Sequence, residues 1–272
     1  MNEILPGSAL HLGFKRFTTR PELTALVECL WSIGGIDAPA QCFNEKVYPD
    51  GGCSLSIEID ANYARAALTC NKYTSRQQFS SHGLTISARL RPGAVYALFK
   101  ISPADLPAHH TDASLLLTGS AKSSLQQLLL KLPQCPRAIA LELFEQWLLQ
   151  QCLKQNEHCS LPARLSEMLQ QLSVQPTTAA NAAATLGMSR RTLERQMALH
   201  TGFNPAYFKQ CQQIKLARQL LCRGTSPLAD IALCSGFYDQ AHFSHTFSSF
   251  VGETPAQYQS RKLSQIYNTA MP

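Results

Sequence analysis

The sequence predicts an α+β chain, with an N-terminal antiparallel β-sheet or small barrel accompanied by helices, and a C-terminal all-α domain. The C-terminal domain is expected to hold two helix-turn-helix motifs joined by a linker helix. Three observations support this fold class: apolar alternation broken by Pro/Gly turns up to about residue 105, helical periodicity from residue 120 onward, and an internal repeat after residue 160.

The composition is that of a globular protein with unevenly placed charge. The chain has 272 residues and a net charge of +6, and this length suits two domains. Residues 1–159 carry 14 basic and 13 acidic side chains, a net charge of +1, whereas the residues from 160 onward carry 10 and 5, a net charge of +5. This concentration of positive charge favours a polyanionic partner.

Nothing in the sequence predicts export or membrane insertion. The first residues, MNEILPGSALHLGF, lack a basic segment followed by an apolar core. No apolar run reaches the ~18 residues that a membrane-spanning helix needs. A cytoplasmic location and no membrane partner are therefore expected.

The chain contains 10 cysteines but no CxxC pair. Structural zinc sites usually show close pairs, and secreted disulfide scaffolds are shorter and denser in cysteine. Reduced thiols that act as small hydrophobic side chains are therefore expected, with no metal and no cofactor. A redox-sensing or metal-sensing thiol is the alternative.

The N-terminal region predicts one helix and then short strands. TRPELTALVECLW (19–31) has capping-box spacing between Thr19 and Glu22 and a stripe of apolar residues, which predict a helix. VYPDGGCSLSIEID (47–60) has a turn signal and then strand-like alternation, and LTISARLRPG (84–93) alternates before a Pro-Gly break.

Two leucine-rich helices are expected over 120–132 and 137–154. They can pack on the sheet of their own domain, or they can serve as a dimer interface. The segment 156–162 has little apolar content and suits a linker.

The region after residue 160 contains a duplicated unit. NAAATLGMSRRTLERQMALHTGFNPAYF (181–208) resembles DIALCSGFYDQAHFSHTFSSFVGETPAQY (230–258). The first glycines, 187 and 236, are 49 residues apart, and the later apolar, Gly and Pro-Ala positions are 50 residues apart. One residue is therefore inserted between the first glycine and the following helix of the second copy.

Each copy fits a helix-turn-helix. A short helix rich in small residues leads to Gly187 or Gly236, where the turn needs a positive φ. Ser189 or Asp239 then caps a second helix, which buries apolar residues at i and i+4 and leaves its opposite face free. A helix of this kind fits the major groove of DNA.

The segment between the copies predicts one rigid helix. Residues 205–223 have an apolar face that includes Tyr207, Cys211 and Ile214, and Gly224 follows. Nineteen residues at ~1.5 Å each span roughly 28 Å. Adjacent major grooves on one face of DNA lie about 34 Å apart, so one helix can hold both reading helices near one-turn spacing.

Residues 161–258 resemble the two-motif DNA-binding domain of the AraC/XylS family of transcription regulators. MSRRTLERQM, GFNPAYF and KLARQLL look like the first half, and ADIALCSGFYDQAHFSHTFSSFVGETPAQY looks like the second-half signature. PELTALVECLW, YPDGGCSLSI and LRPGAVYALF have a weaker resemblance to the sheet-containing sensor domains of some members. The resemblance implies a cytosolic, often dimeric regulator that binds double-stranded DNA, is controlled through its N-terminal domain, and usually activates transcription by recruiting RNA polymerase.

The chain is expected to have five parts: an N-terminal β-rich regulatory domain over 1–118, a helical pair over 119–155 that is a possible dimer interface, a linker over 156–162, a DNA-binding domain over 163–265 and a tail over 266–272.

By the same resemblance, the first reading helix would present Arg191, Glu194 and Arg195 to base edges, with Arg190 on the same basic face. Arginine can form two hydrogen bonds with guanine, and glutamate can accept one from N4 of cytosine. A solvated basic helix face is the alternative for these arginines.

The second reading helix would present Gln240, Ala241 and His245 at the matching positions. It departs from the family's usual pattern, which has Arg where His245 stands. A neutral imidazole has one donor and no two-pronged contact, so looser base discrimination is expected there. His242 is expected to be structural or to face phosphate.

Two other functions compete with this one. An enzyme would need a nucleophile with a nearby base, and the only compact acid–base cluster in the N-terminal half is His109-His110-x-Asp112, so no enzyme is expected. A DNA-repair alkyl acceptor or a redox- or metal-sensing regulator would use the N-terminal cysteines.

Those N-terminal cysteines, Cys29, Cys42, Cys53 and Cys70, are too widely spaced to support the alkyl acceptor. The N-terminal domain can also bind a small-molecule effector. Its candidate lining residues are Trp31, Tyr48, Tyr96 and Phe99.

Overall fold

A computed structural model describes residues 3–4, 13–35, 42–81, 83–107, 110–133, 135–155, 160–174, 178–224 and 226–269. The chain divides into two compact units, one formed by residues 1–165 with 198–202 and the other by residues 166–197 with 203–272. None of the helices within the described ranges combines the length and apolarity that crossing a membrane requires.

The first unit contains nine strands and four helices among its described residues. The strands are β1 (Glu3–Ile4), β2 (Lys15–Phe17), β3 (Val27–Gly35), β4 (Cys42–Val47), β5 (Cys53–Ile59), β6 (Ala64–Thr69), β7 (Ser75–Ser80), β8 (Gly83–Leu90) and β9 (Thr111–Asp112). The helices are α1 (Ala94–Phe99), α2 (Ala113–Leu116), α3 (Gly119–Lys131) and α4 (Arg137–Gln155).

The strands form two sheets. Seven strands pair antiparallel in the order β1-β2-β3-β8-β5-β6-β9, and β4 pairs with β7 as a separate two-stranded sheet. The alternation predicted within residues 47–60 is present in part, because Leu55, Ile57 and Ile59 are buried in the core while Ser54 and Glu58 are not. Ser56 departs from it, because its side chain is buried and its hydroxyl lies 2.9 Å from that of Ser87. The predicted N-terminal antiparallel sheet is therefore present.

The leucine-rich helices α3 and α4 cover one face of the large sheet. Leu125 and Phe144 from these helices join the same buried cluster as Leu55 and Ile86 from the strands. Packing on the sheet of their own domain is thus what these helices do. Leu130, on α3, is 83% exposed, and the dimer interface stays a prediction.

The helix predicted over residues 19–31 is wrong. A short 3-10 turn spans Pro21–Leu23, and the strand β3 follows from Val27. Thr19 does not cap a helix, because its hydroxyl donates to the carbonyl of Arg20 at 2.9 Å. β3 pairs with both β2 and β8, so long-range strand pairing outweighs the local helical signal.

The expectation that all cysteines are reduced is also wrong. Cys53 and Cys70 form a disulfide across a sequence separation of 17 residues. Cys53 begins β5 and Cys70 follows β6, and the adjacent pair Ser54 and Thr69 are register partners. The strand register brings the two cysteines together, and their spacing in the sequence gives no sign of it.

The second unit is helical throughout its described residues. Its helices are α5 (Ala163–Val174), α6 (Ala179–Thr185), α7 (Arg190–Thr201), α8 (Pro205–Arg223), α9 (Leu228–Cys234), α10 (Gln240–Val251) and α11 (Pro255–Thr269), of which α5 and α7 are shared with the first unit at their ends. The fold class predicted from the sequence, an N-terminal antiparallel sheet and an all-α domain with two helix-turn-helix motifs, is confirmed.

Candidate nucleic-acid interface

The first motif consists of α6, a turn and α7. Gly187 has a φ of +60° in the turn, a conformation that favours glycine. Ser189 caps α7 by accepting a hydrogen bond at 3.1 Å from the backbone N–H of Thr192. Leu193 and Met197 are fully buried one turn apart, which fixes the opposite face of α7 toward solvent.

The predicted base-reading side chains of α7 lie on that solvent face. Arg190, Arg191 and Arg195 are exposed, and Glu194 is partly exposed. Arg190 Nε donates to Glu194 Oε1 at 2.8 Å. An exposed i,i+4 pair contributes little to stability, so DNA can compete for either side chain.

The second motif repeats this arrangement with α9, a turn and α10. Gly236 has a φ of +78°, and Asp239 caps α10 by accepting from the N–H of His242 at 2.7 Å. Phe243 and Phe247 are fully buried, at the positions of Leu193 and Met197. Both predicted caps and both predicted glycine turns are therefore present.

The exposed face of α10 differs in chemistry from that of α7. Gln240, Ala241 and His245 are exposed, as predicted. His242 is also exposed, but its ring meets that of Phe237 edge to face at a centroid distance of 5.5 Å. This contact gives His242 a packing role beside any contact with DNA.

An aromatic cluster holds the second motif to the end of the chain. Phe243 packs against Phe247 at a centroid distance of 5.5 Å, and Phe247 packs against Tyr258 of α11 at 5.5 Å. The buried Tyr258 hydroxyl accepts from Arg218 Nε at 3.1 Å, which connects the cluster to α8. Rings at these distances and angles make favourable edge-to-face contacts.

The linker helix α8 spans the residues predicted for it, Pro205–Arg223. Asn204 caps its start by accepting from the N–H of Tyr207 at 2.8 Å, and Gly224 ends it with a φ of +72°. Phe208 is the fully buried aromatic residue of this helix, whereas Tyr207, which the sequence placed on the buried face, is half-buried.

One contact between α8 and the second turn is absent from the sequence prediction. Gln213 Nε2 donates to the carbonyl of Gly236 at 2.6 Å. This bond fixes the turn that precedes α10 on the linker helix. A glutamine on a helix face carries no sequence signal for such a role.

Two cavities in the first unit are lined by residues from both sheets. They measure about 280 Å³ and about 330 Å³, and Trp31, Ile33 and Phe79 line both of them. The rings of Trp31 and Phe79 meet edge to face at 6.4 Å. Trp31 therefore stands where the two cavities adjoin.

The smaller cavity has a polar floor. Ser56, Glu58, Arg65 and Thr85 line it, because the alternate residues of β5, β6 and β8 that do not face the helices point toward the second sheet. Arg65 Nε donates to Glu58 Oε2 at 2.6 Å. The floor can offer hydroxyl and charged partners to a polar ligand.

The other predicted effector residues lie elsewhere in the first unit. Phe99, on α1, stacks on Trp147 of α4 at a centroid distance of 5.9 Å, so it belongs to the helix layer. Tyr48 and Tyr96 are half-buried, in the segment after β4 and on α1. Their role in an effector pocket stays a prediction.

The competing sites have less support. His109 lies outside the described residues, and His110 Nδ1 is 2.7 Å from the Thr69 hydroxyl. The Cys53–Cys70 disulfide occupies two of the four thiols on which an alkyl acceptor or a metal sensor would draw.

Two protein-family models match parts of the chain. Residues 182–261 match the family model described as a helix-turn-helix domain. Residues 15–112 match a domain of unknown function, DUF6597.

Part of the chain is similar to known regulators. The transcriptional activator NphR of Rhodococcus sp is 33% identical over 82 residues, which cover 30% of this chain and 24% of NphR. The HTH-type transcriptional activator RhaS of Klebsiella pneumoniae is 35% identical over 88 residues, 31% of this chain and 32% of RhaS. The similarity thus spans about a quarter to a third of these curated relatives.

Among solved structures, an AraC-type transcriptional regulator from Chromobacterium violaceum is 26% identical, with a TM-score of 0.34. The match covers 36% of this chain and 91% of that one.

Proposed function

We propose that this chain is a sequence-specific DNA-binding transcription regulator of the AraC family, because residues 182–261 match a helix-turn-helix domain model. α7 and α10 enter adjacent major grooves of double-stranded DNA. It acts as an activator, as the names of its relatives NphR and RhaS state for those proteins. Recruitment of RNA polymerase and a cytoplasmic location are part of this proposal.

The observation that carries this proposal is the way one helix joins two capped reading helices. α8 has 19 residues, which at ~1.5 Å each make a rod of roughly 28 Å. Its ends lead into motifs that expose Arg191 and Arg195 on one side and Gln240 and His245 on the other. A rigid rod of that length suits two contacts about one DNA turn apart.

The test is to select genomic DNA fragments on the purified protein and to sequence what is retained. A motif with two short blocks about one helical turn apart supports the proposal. Fragments selected on the Arg195→Ala variant should show a weaker base preference in the block that α7 contacts. Fragments selected on Arg76→Ala, which removes an exposed arginine of β7, should show the wild-type motif. Retention of random fragments by the wild-type protein would refute sequence-specific binding.

We also propose that the N-terminal unit regulates DNA binding by taking a small molecule between its two sheets. Trp31 supports this role because it lines both cavities there. Helices α3 and α4 are a candidate dimer interface, since Leu130 and Leu153 are exposed on them.

Tryptophan fluorescence tests the cavity directly. The chain has two tryptophans, so Trp147→Phe leaves Trp31 as the only one. Fractionated metabolite pools that change the emission of this variant, and that also change operator affinity of the wild-type protein, would identify an effector. Emission that no pool alters would contradict an effector at Trp31.

A further inference from the structure

The second helix-turn-helix motif lacks the cations on which DNA-binding surfaces commonly depend. From Gly224 to Ser260 the sequence contains no lysine and no arginine, and it contains three acidic residues. The equivalent part of the first motif, residues 175–210, has three arginines, of which Arg191 is one, one lysine and a single glutamate. The nearest cations in the sequence are Arg223 before this stretch and Arg261 and Lys262 after it. Side chains of α10 and of the turn before it can therefore offer phosphate only neutral donors or the histidines.

The hydrogen bonds of the two turns show which positions correspond. In the first motif the N–H of Met188 donates to the carbonyl of Ala183 at 2.9 Å. In the second motif the N–H of Phe237 donates to the carbonyl of Ala232 at 3.0 Å. Met188 and Phe237 thus occupy the same position, directly after the glycine of each turn.

The helix caps locate the inserted residue. Ser189 accepts from the N–H three residues ahead of it, and Asp239 does the same. Ser189 directly follows Met188, whereas Asp239 follows Phe237 only after Tyr238. Tyr238 is therefore the residue that has no counterpart in the first motif.

Tyr238 is not placed there for packing within this unit. Its side chain is 87% exposed, while the preceding Phe237 is 4% exposed and buried in the aromatic cluster. Phe237 and the cap Asp239 fix the backbone on either side, so the Tyr238 ring projects at the N-terminal end of α10. In helix-turn-helix proteins the N-terminal residues of the reading helix approach the bases, and the backbone phosphates flank that end.

We propose that Tyr238 contacts the DNA backbone beside the second reading helix, with its hydroxyl donating to a phosphate and its ring against the neighbouring sugar. This contact rests on the proposed function and takes the place of the arginine or lysine that residues 224–260 lack. A neutral donor releases no condensed counterion, so its contribution to affinity is independent of salt.

The experiment measures operator affinity by fluorescence anisotropy, with a labelled duplex that carries the selected motif. Tyr238→Phe removes only the hydroxyl, and Tyr238→Ala also removes the ring. A hydrogen bond to a charged partner corresponds to a change in Kd of about tenfold or more. We expect about a tenfold higher Kd for the phenylalanine variant, and at least as large a rise for alanine.

The salt dependence distinguishes this contact from a cationic one. Between about 50 and 200 mM salt, both Tyr238 variants should keep the wild-type slope of log Kd against log salt, because the lost donor is neutral. Arg190→Ala should reduce that slope by about 0.9, the value for one phosphate neutralised on duplex DNA. Tyr73→Phe, which changes a 68% exposed tyrosine of the N-terminal unit, should change neither quantity.

A shortened duplex locates the contact. On DNA that ends before the second block of the motif, the wild-type protein and Tyr238→Phe should bind equally. A Tyr238→Ala variant with wild-type affinity for the full operator would overturn the contact while leaving DNA binding intact, and would assign the exposed tyrosine to a protein partner instead. A wild-type protein that selects no motif would overturn the proposed function, and this contact with it.

Discussion

The two turn glycines offer a matched pair of substitutions, and the structure predicts different costs for them. Gly187 and Gly236 both have a positive φ, +60° and +78°. An alanine in this left-handed region costs about 1–2 kcal/mol. A less flexible unfolded chain offsets part of that, by about 0.4–1 kcal/mol. The backbone cost of either substitution is thus about 1 kcal/mol.

Gly236→Ala has a second cost that Gly187→Ala lacks. A Cβ at position 236 would lie 3.2 Å from Gln213 Nε2, whereas a Cβ at position 187 meets nothing within 4 Å. The Gln213 amide must shift by a few tenths of an ångström, which weakens its hydrogen bond to the carbonyl of Gly236. Full loss of that bond would add about 1 kcal/mol, so Gly236→Ala should lower the free energy of unfolding by more than Gly187→Ala and by up to about 2 kcal/mol.

The assay is urea unfolding with two probes. Trp31 and Trp147 are the only tryptophans of the chain and both precede the C-terminal helices, so tryptophan fluorescence follows the first unit alone. Far-ultraviolet circular dichroism follows the helices of both units. The glycine variants should shift the second signal and leave the first unchanged. Equal shifts for Gly187→Ala and Gly236→Ala would refute the reasoning, as would a Gly236→Ala shift that persists undiminished in a Gln213→Ala background.

Three further outcomes are expected. Arg195→Ala should weaken operator binding by about 1–3 kcal/mol, the range for a lost two-pronged base contact. His245→Ala should weaken operator binding by less than Arg195→Ala does. Equal losses of binding free energy, measured by fluorescence anisotropy, would contradict the difference between the two helices. Replacing both Cys53 and Cys70 by alanine should lower the free energy of unfolding by about 3 kcal/mol, the loop-closure value for about 15 residues, and unchanged urea midpoints in non-reducing buffer would contradict this. Burial raises the pKa of the Cys29 thiol, with Arg16 opposing the shift, so less thiolate exists at a given pH. Iodoacetamide should therefore label Cys29 far more slowly in the native protein than in urea. Equal labelling rates, measured by mass spectrometry, would contradict its burial.

The sequence predicted best where both ends of an element carry a local signal. For α8, Asn204 and Pro205 mark the start and Gly224 marks the end, and the structure places the helix between them. The repeat predicted both glycine turns and both caps for the same reason. These features depend on a few neighbouring residues, so they are visible without knowledge of the fold.

The sequence predicted poorly where distant strands decide. Residues 19–31 have a helical stripe, yet Val27 onward joins β2 and β8 as a strand. The disulfide depends on the register of β5 and β6, and the cavities at Trp31 depend on how two sheets face each other. The bond from Gln213 to Gly236 likewise joins residues 23 positions apart. Such contacts are properties of the assembled unit, and no local pattern encodes them.

The histidine at position 245 has a broader explanation than a single substitution for arginine. Arg195, its twin, lies among other arginines, but His245 lies in a stretch of 224–260 from which every lysine and arginine is missing. An arginine at position 245 would be the single cation between residues 224 and 260. On the proposed function, we expect α7 to supply the salt-dependent attraction to phosphate and α10 to supply neutral hydrogen-bond donors at fixed positions. A motif that contacts DNA through neutral donors depends on their exact placement more than on charge, because a misplaced neutral donor adds no binding free energy at a distance. Three contacts fix the orientation of α10, and this dependence gives a physical reason for them. They are the hydrogen bond by which Asp239 caps the helix, the hydrogen bond from Gln213 to the carbonyl of Gly236, and the aromatic cluster that contains Phe243.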